Sequence, residues 1–191
     1  MHFFEPPPRR NEPEAEPKLP AWFGPPPDEL GQGIALRALV ARSDRCAIAI
    51  GGLVVYTLGF EAVVRLRLRD VDPWIDPLGH RYGPSGRFRN EGQLPDDLLR
   101  MGVELADGIK ATSTDEHFRR PDEPPPSGYF QMSGGGGGQR WDFTCWVWPL
   151  PAKPPTTFVV EWPALGIQLT RYELPTEEIV QAGKRSVSIW D

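Results

Sequence analysis

Hydrophobic and polar residues alternate along several short stretches of this chain, most clearly between residues 60 and 69. The apolar residues of this stretch occupy every second position: Phe60, Ala62, Val64, Leu66 and Leu68. Charged residues occupy most of the positions between them: Glu61, Arg65, Arg67 and Arg69. Because side chains of a strand alternate between its two faces, the pattern predicts a strand with one packed and one solvated face. Such a strand is typical of an antiparallel sheet.

Comparable patterns predict further strands, separated by Gly- and Pro-rich turns, at residues 34–42, 46–57, 101–106, 109–112, 128–132, 140–148, 156–162 and 167–172. Gly51-Gly52 predicts a bulge, and Asp107-Gly108 predicts a tight hairpin turn. Thr176 is expected to cap a short helix over residues 177–184. The predicted fold class is therefore all-β: an antiparallel β-sandwich, immunoglobulin-like in general architecture, with one short C-terminal helix.

The first 27 residues differ in composition from the rest, because they hold nine of the 23 prolines. We expect residues 1–27 to form a disordered Pro/Glu-rich tail and residues 28–191 to form a single β-sandwich domain. The run Pro25-Pro26-Pro27 could alternatively act as a polyproline II ligand. Trp22 and Phe23 lie at the edge of the tail and are expected to pin it to the domain.

The predicted strand over residues 140–148 carries apolar bulk on both faces. Trp146 and Trp148 share one face with Asp142, and Arg140 begins the strand. Aromatic rings and charges side by side are suited to recognition, so these four residues are the candidate binding residues. The alternative is that a second sheet or the tail covers the tryptophans. We favour that alternative, because tryptophan is highly buried on average.

Five consecutive glycines, Gly134 to Gly138, precede this strand. No lysine and no predicted helix follow them, which argues against a phosphate-binding loop. We expect the glycines to be the flexible tip of a long hairpin, either a plain connector or a loop that closes over a partner.

The net charge of −5 and the isoelectric point near 5.3 argue against nucleic acid as the partner. The arginine row of residues 65, 67 and 69 could bind an anion, although charges on a solvated sheet face are more often simply hydrated. The N-terminus lacks the features of a signal peptide, and the longest apolar run, residues 46–60, is short for a membrane span. A cytoplasmic location without membrane association is therefore expected.

Chemistry-bearing residues form no catalytic pattern in the sequence, and no cofactor or metal is predicted. Cys46 and Cys145 are expected to be buried reduced thiols, with a disulfide between strands as the alternative. The segment that contains Asp70, Asp72, Asp76 and His80 could hold a metal, but its prolines make Asp-Pro turns a sufficient explanation. A mid-strand Cys145 should have a raised pKa, which is wrong for a nucleophile.

Several phrases of the sequence resemble a group of uncharacterised actinobacterial proteins. They are the glycine run with Arg140-Trp141-Asp142, the segment from Trp146 to Pro151, the segment from Phe158 to Ile167, and Leu105-Ala106-Asp107-Gly108. The resemblance implies no function and no site residues. We therefore expect a non-enzymatic binding or scaffolding module that presents loops and an aromatic strand to a protein partner. The alternatives are a carbohydrate- or small-molecule-binding module and a small enzyme; the oligomeric state is left open.

Overall fold

The computed structural model describes residues 19–71, 75–79, 94–115, 124–125 and 128–190. The strands within these ranges are β1 (Glu29–Leu30), β2 (Gln32–Ile34), β3 (Ala38–Arg42), β4 (Cys46–Val55), β5 (Phe60–Leu68), β6 (Arg100–Leu105), β7 (Lys110–Thr112), β8 (Tyr129–Gly137), β9 (Arg140–Trp148), β10 (Thr156–Trp162), β11 (Ile167–Leu174) and β12 (Val187–Ser188). A 3-10 turn spans Pro163–Leu165, and helix α1 spans Thr176–Gly183.

Two antiparallel sheets make up the body of the molecule. The six-stranded sheet has the order β2-β4-β5-β9-β8, and β3 also pairs with β4. The four-stranded sheet has the order β11-β10-β6-β7. A small third sheet pairs β1 with β12. The predicted antiparallel sandwich with one short C-terminal helix is therefore confirmed.

The core lies between the two large sheets and is one continuous apolar cluster. Ile48, Leu66 and Phe143 enter it from the six-stranded sheet, and Phe158 and Trp162 enter it from the four-stranded sheet. All five are at most 1% exposed. Each side chain of this kind stabilises the fold by roughly 1.5–3 kcal/mol relative to an exposed position. The alternation read from the sequence thus becomes the inner face of both sheets.

Most predicted strands are confirmed, but the first one is divided. Residues 34–42 contribute to both β2 and β3, and each of these strands pairs with β4. The predicted bulge at Gly51-Gly52 is confirmed by a register shift between Ile50 and Leu53 in the pairing of β4 with β5. The predicted hairpin is also confirmed, since β6 pairs with β7 and Gly108 has a φ of +86°.

The glycine run is strand, and the prediction of a flexible tip is wrong. β8 continues to Gly137, with Gly134 opposite Phe143 and Gly137 opposite Arg140. Only Gly138 and Gln139 remain as the turn, and Gly138 has a φ of +56°. Pairing with the regular strand β9 outweighs the low β-propensity of glycine, because the ladder supplies partners for its backbone groups.

Thr176 does not cap α1, contrary to the sequence prediction. Pro175 occupies the N-cap position, and Thr176 is the first helical residue. The Thr176 hydroxyl instead accepts a hydrogen bond of 2.9 Å from the backbone N–H of Thr156 at the start of β10. The side chain therefore fastens the helix to the four-stranded sheet. Glu177 and Glu178 lie in the first turn, where negative charge complements the helix dipole.

Candidate functional site

All four candidate binding residues lie along the outer face of the six-stranded sheet. Arg140, Asp142, Trp146 and Trp148 occupy alternate positions of β9 that point away from the core. The register places Arg65 of β5 opposite Asp142 and Arg67 opposite Arg140. This face therefore has two ends. One end is aromatic, and the other, which we call the arginine face, consists of Arg65, Arg67, Arg140 and Asp142.

At the aromatic end, the segment that precedes β1 covers the tryptophans of β9. Trp22 is 5% exposed and packs on Trp146, which is 3% exposed. The indole Nε1–H of Trp146 donates a hydrogen bond of 2.9 Å to the backbone carbonyl of Trp22. The sequence alternative in which the tail covers the tryptophans thus describes Trp146, and Trp148 is half-buried.

Six rings form this aromatic cluster: Trp22, Phe23, Tyr56, Tyr129, Trp146 and Trp148. Trp22 meets Tyr129 edge-on with ring centroids 5.0 Å apart, and Phe23 stacks on Tyr129 at 5.3 Å. Offset and edge-on pairs of this kind stabilise beyond their buried area. Burial raises the pKa of Tyr129 to about 12, because the phenolate would lose its hydration. The cluster is thus a closed apolar unit that anchors residues 22 and 23 to the sheet.

At the other end, Arg67 is a fixed part of the sheet surface. Its Nη1 donates to the backbone carbonyls of Leu66, at 2.8 Å, and Trp141, at 3.0 Å. Its Nη2 lies 2.9 Å from Oδ1 of Asp142. The guanidinium therefore bridges β5 and β9 and neutralises the single carboxylate of the arginine face.

Arg65 lies across the bulge of β4. An ideal Cβ built on Gly51 would come within 2.9 Å of the Arg65 Nε and 3.1 Å of its Cζ. A side chain at position 51 would therefore displace the guanidinium, so the glycine creates the place where Arg65 lies. Arg65 is exposed, and no described residue forms a hydrogen bond or an ion pair with its guanidinium.

Small residues flank the arginines on both sides. Ala47 and Ala49 of β4 stand opposite Arg67 and Arg65. Gly135 and Gly137 of β8 stand opposite Asp142 and Arg140. The arginines therefore project beyond their described neighbours on β4 and β8.

The arginine face is positively charged, whereas the chain as a whole carries −5. Three arginines lie beside one aspartate, and Arg140 is exposed with no ion pair recorded to a described residue. Guanidinium groups bind carboxylates through two parallel hydrogen bonds. The arrangement can thus hold an anionic group.

The other candidate chemistry of the sequence does not gather at this site. Cys46 and Cys145 are free and buried, as predicted. Burial raises the pKa of the Cys145 thiol well above its ordinary value, as expected for an inert core thiol. Among the described residues there is no group of three side chains that could hold a metal ion. Asp72 and the histidines 2, 80 and 117 lie outside the described residues.

A second concave feature, on the outer face of the four-stranded sheet, was missed by the sequence analysis. This groove encloses about 180 Å³, and Gly102, Val159 and Leu169 form much of its surface. Its cations are paired: Arg100 lies 2.6 Å from Glu161, and Lys110 lies 3.5 Å from Glu104. The available signal was the glycine in the middle of β6, which leaves a gap on the sheet surface.

Comparisons with known proteins assign the chain to no group, since no protein-family model, no curated protein and no solved structure matches it. The resemblance to actinobacterial proteins therefore stays a prediction. Among the described residues, no helix has the length and apolar character needed to cross a bilayer.

Proposed function

We propose that this protein is a non-enzymatic binding module that holds an acidic segment of a protein partner on its arginine face. One observation carries the proposal: the exposed guanidinium of Arg65 lies on Gly51 without an acceptor among the described residues. A guanidinium is weakly hydrated and presents its donors in a rigid fork, which suits a carboxylate.

The charge distribution favours an acidic protein segment over nucleic acid. A long polyanion would also meet the rest of the chain, whose net charge is −5, and would be repelled by it. A short acidic segment fits the charge of the arginine face alone. The partner in this proposal meets the charged end of β9 rather than Trp146, because Trp146 is 3% exposed.

A calorimetric titration with a short capped peptide, in which glutamate alternates with valine and threonine, tests the proposal. We expect Arg65→Ala to weaken binding roughly threefold to tenfold, in line with the loss of one hydrogen bond at an exposed position. Arg65→Lys should recover only part of the affinity, because an ammonium cannot bind a carboxylate through a fork. Binding should also weaken as salt is added.

Arg171→Ala is the matched control, because Arg171 is an arginine on the outer face of the opposite sheet and is 54% exposed. It removes the same charge and should leave the affinity unchanged. Equal losses for Arg65→Ala and Arg171→Ala would refute a specific site and leave only a general charge effect.

The groove of the four-stranded sheet supports a second candidate function, the binding of a small uncharged ligand such as a sugar. The observation in its favour is that Arg100 and Lys110 at the rim are neutralised by glutamates, while Val159 and Leu169 offer apolar surface. Ligand-observed NMR with oligosaccharides and neutral fragments tests this function. Val159→Trp should fill the groove and abolish any hit, whereas Arg65→Ala should leave a hit intact.

A further inference from the structure

The outer edge of β8 is an unpaired sheet edge in the described part of the chain. β8 pairs with β9 on one side, and no described strand pairs with its other side. Proteins normally protect such an edge with charged side chains, proline or a bulge, because its backbone groups can pair with another chain. Residues Gly134 to Gly137 are exposed and have no side chains that could protect it.

This stretch, which we call the glycine edge, is ordered before any partner binds. Gly134 to Gly137 are each paired with a residue of β9. Gly134 has a φ of +126°, a conformation that favours glycine, and a Cβ there would clash with the backbone oxygen of Asp142. Folding has therefore already fixed the glycine backbone, so a partner strand would not have to order it on binding.

The glycine edge runs beside the arginine face. Gly135 and Gly137 lie on the outer side of the sheet next to Asp142 and Arg140. Strands are spaced about 4.8 Å apart, so a strand added to β8 would lie about 10 Å from β9. A glutamate on the added strand and Arg140 can meet over that distance only if no side chain of β8 lies between them. Gly137 stands opposite Arg140, and an added Cβ there would have open space around it.

We propose, as an extension of the function proposed above, that the acidic partner segment binds as an additional strand on the glycine edge. Its backbone pairs with β8, and its carboxylates, at every second position, cross the glycines to Arg140 of β9, the arginine of this face nearest to β8. Strand addition derives affinity from main-chain hydrogen bonds and specificity from alternate side chains. Here the alternate side chains are acidic, because the surface they cross toward is positively charged.

The test uses the full chain and the alternating glutamate peptide in three backbone forms. One form is unmodified, one carries N-methyl groups on the glutamates, and one carries them on the residues between. In an added strand, the N–H groups of alternate residues point toward β8, so only one of the two methylated forms should lose affinity, by about tenfold or more. The other should bind within about threefold of the parent peptide.

A pair of protein variants tests the crossing of the carboxylates. Gly137→Phe places a ring between the added strand and Arg140, at a position with no described atom within 4 Å of the new Cβ, and should weaken binding about tenfold. Gln131→Phe makes the same kind of change on the same outward face of β8, opposite Trp146, and should have no effect. Circular dichroism of both variants confirms that they remain folded.

The outcomes separate the two proposals. If the unmodified peptide does not bind, the proposed function fails. If it binds in an Arg65-dependent way but both methylated forms bind equally, strand addition is refuted and the proposed function stands. A dimer in analytical ultracentrifugation that Gly137→Phe abolishes would mean that the edge serves a second copy, which refutes the acidic partner. A combined Glu12→Gln, Glu14→Gln and Glu16→Gln variant that binds the peptide tenfold tighter would identify the chain's own N-terminal segment as the occupant.

Discussion

Two ends of one sheet face differ in how their surface is used. Trp146 and Asp142 point to the same side of β9, four residues apart, yet Trp146 is 3% exposed and the Asp142 side chain is 59% exposed. The chain's own segment around Trp22 covers the aromatic end. At the charged end, the described residues provide no partner for Arg65. Within the described residues, the apolar surface is thus covered by the chain itself, while the charged surface is not.

The difference follows from the energetics of the two surfaces. Covering apolar rings removes them from water and stabilises the fold. Covering an arginine without a carboxylate would remove its hydration and supply no ion pair or hydrogen bond to replace it. A protein segment that covers part of this face therefore gains more by covering the aromatic end, which is why the proposed function uses the charged end.

The largest expected effect comes from opening the aromatic end. Trp22→Ala removes a 5% exposed ring from the aromatic cluster and should lower the free energy of unfolding by about 3–5 kcal/mol. Urea denaturation followed by circular dichroism measures this. Trp190→Ala is the control, because Trp190 is 81% exposed and its removal should change the stability by less than about 0.5 kcal/mol. Similar small effects for both tryptophans would mean that Trp22 does not cover the aromatic end.

A smaller effect tests whether the glycine edge, beside the charged end, has a fixed backbone conformation. Gly134→Ala forces a side chain into a φ of +126° and against the backbone of β9, so we expect a loss of about 1–3 kcal/mol. Gly135→Ala, one residue away, adds a Cβ that meets nothing within 4 Å and should be neutral or stabilising by up to about 1 kcal/mol. Thermal denaturation of the two variants gives the comparison. If both substitutions are neutral, the glycine edge is loose and cannot serve as a template.

The smallest effect is expected from alkali and only at the aromatic end. The pKa of Tyr129 is raised from 10.0 to about 12 in the folded protein, so the folded state keeps this proton when the unfolded chain loses it. The contribution to stability is complete below pH 10 and falls as the pH rises toward 12. The urea midpoint of the parent protein should fall between pH 9 and pH 11. In Tyr129→Phe this fall should be smaller. An unchanged fall in this variant would exclude Tyr129 as its source.

The sequence predicted the elements whose side chains alternate and failed where backbone pairing decides the structure. The pattern of β5 identifies its inner face because each apolar residue contributes to the same core. Gly134 to Gly138 carry no side-chain pattern, and the structure of four of them depends on β9, which pairs with them from across the turn. A hairpin register of this kind cannot be read from local propensity.

The candidate site was predictable in its residues but not in its arrangement. Arg65 and Arg67 were visible as a row, and Arg140 and Asp142 were visible as charges beside an aromatic strand. These four residues share one face only because β5 pairs with β9, which joins positions more than 70 residues apart. The cover over Trp146 also depends on a remote contact. The sequence analysis named the tail as one of two possible covers and Trp22 as a residue that pins it, but it could not pair Trp22 with Trp146.

The hydrogen bond from Trp146 to Trp22 also sets an order of events during synthesis. At roughly 5–20 residues per second, the 124 residues that separate these two positions take roughly 6–25 s to translate. Trp22 therefore leaves the ribosome long before the strand that it will cover exists. During this interval its ring and that of Phe23 are available to a chaperone, and the N-terminal segment can dock only after the hairpin of β8 and β9 has emerged.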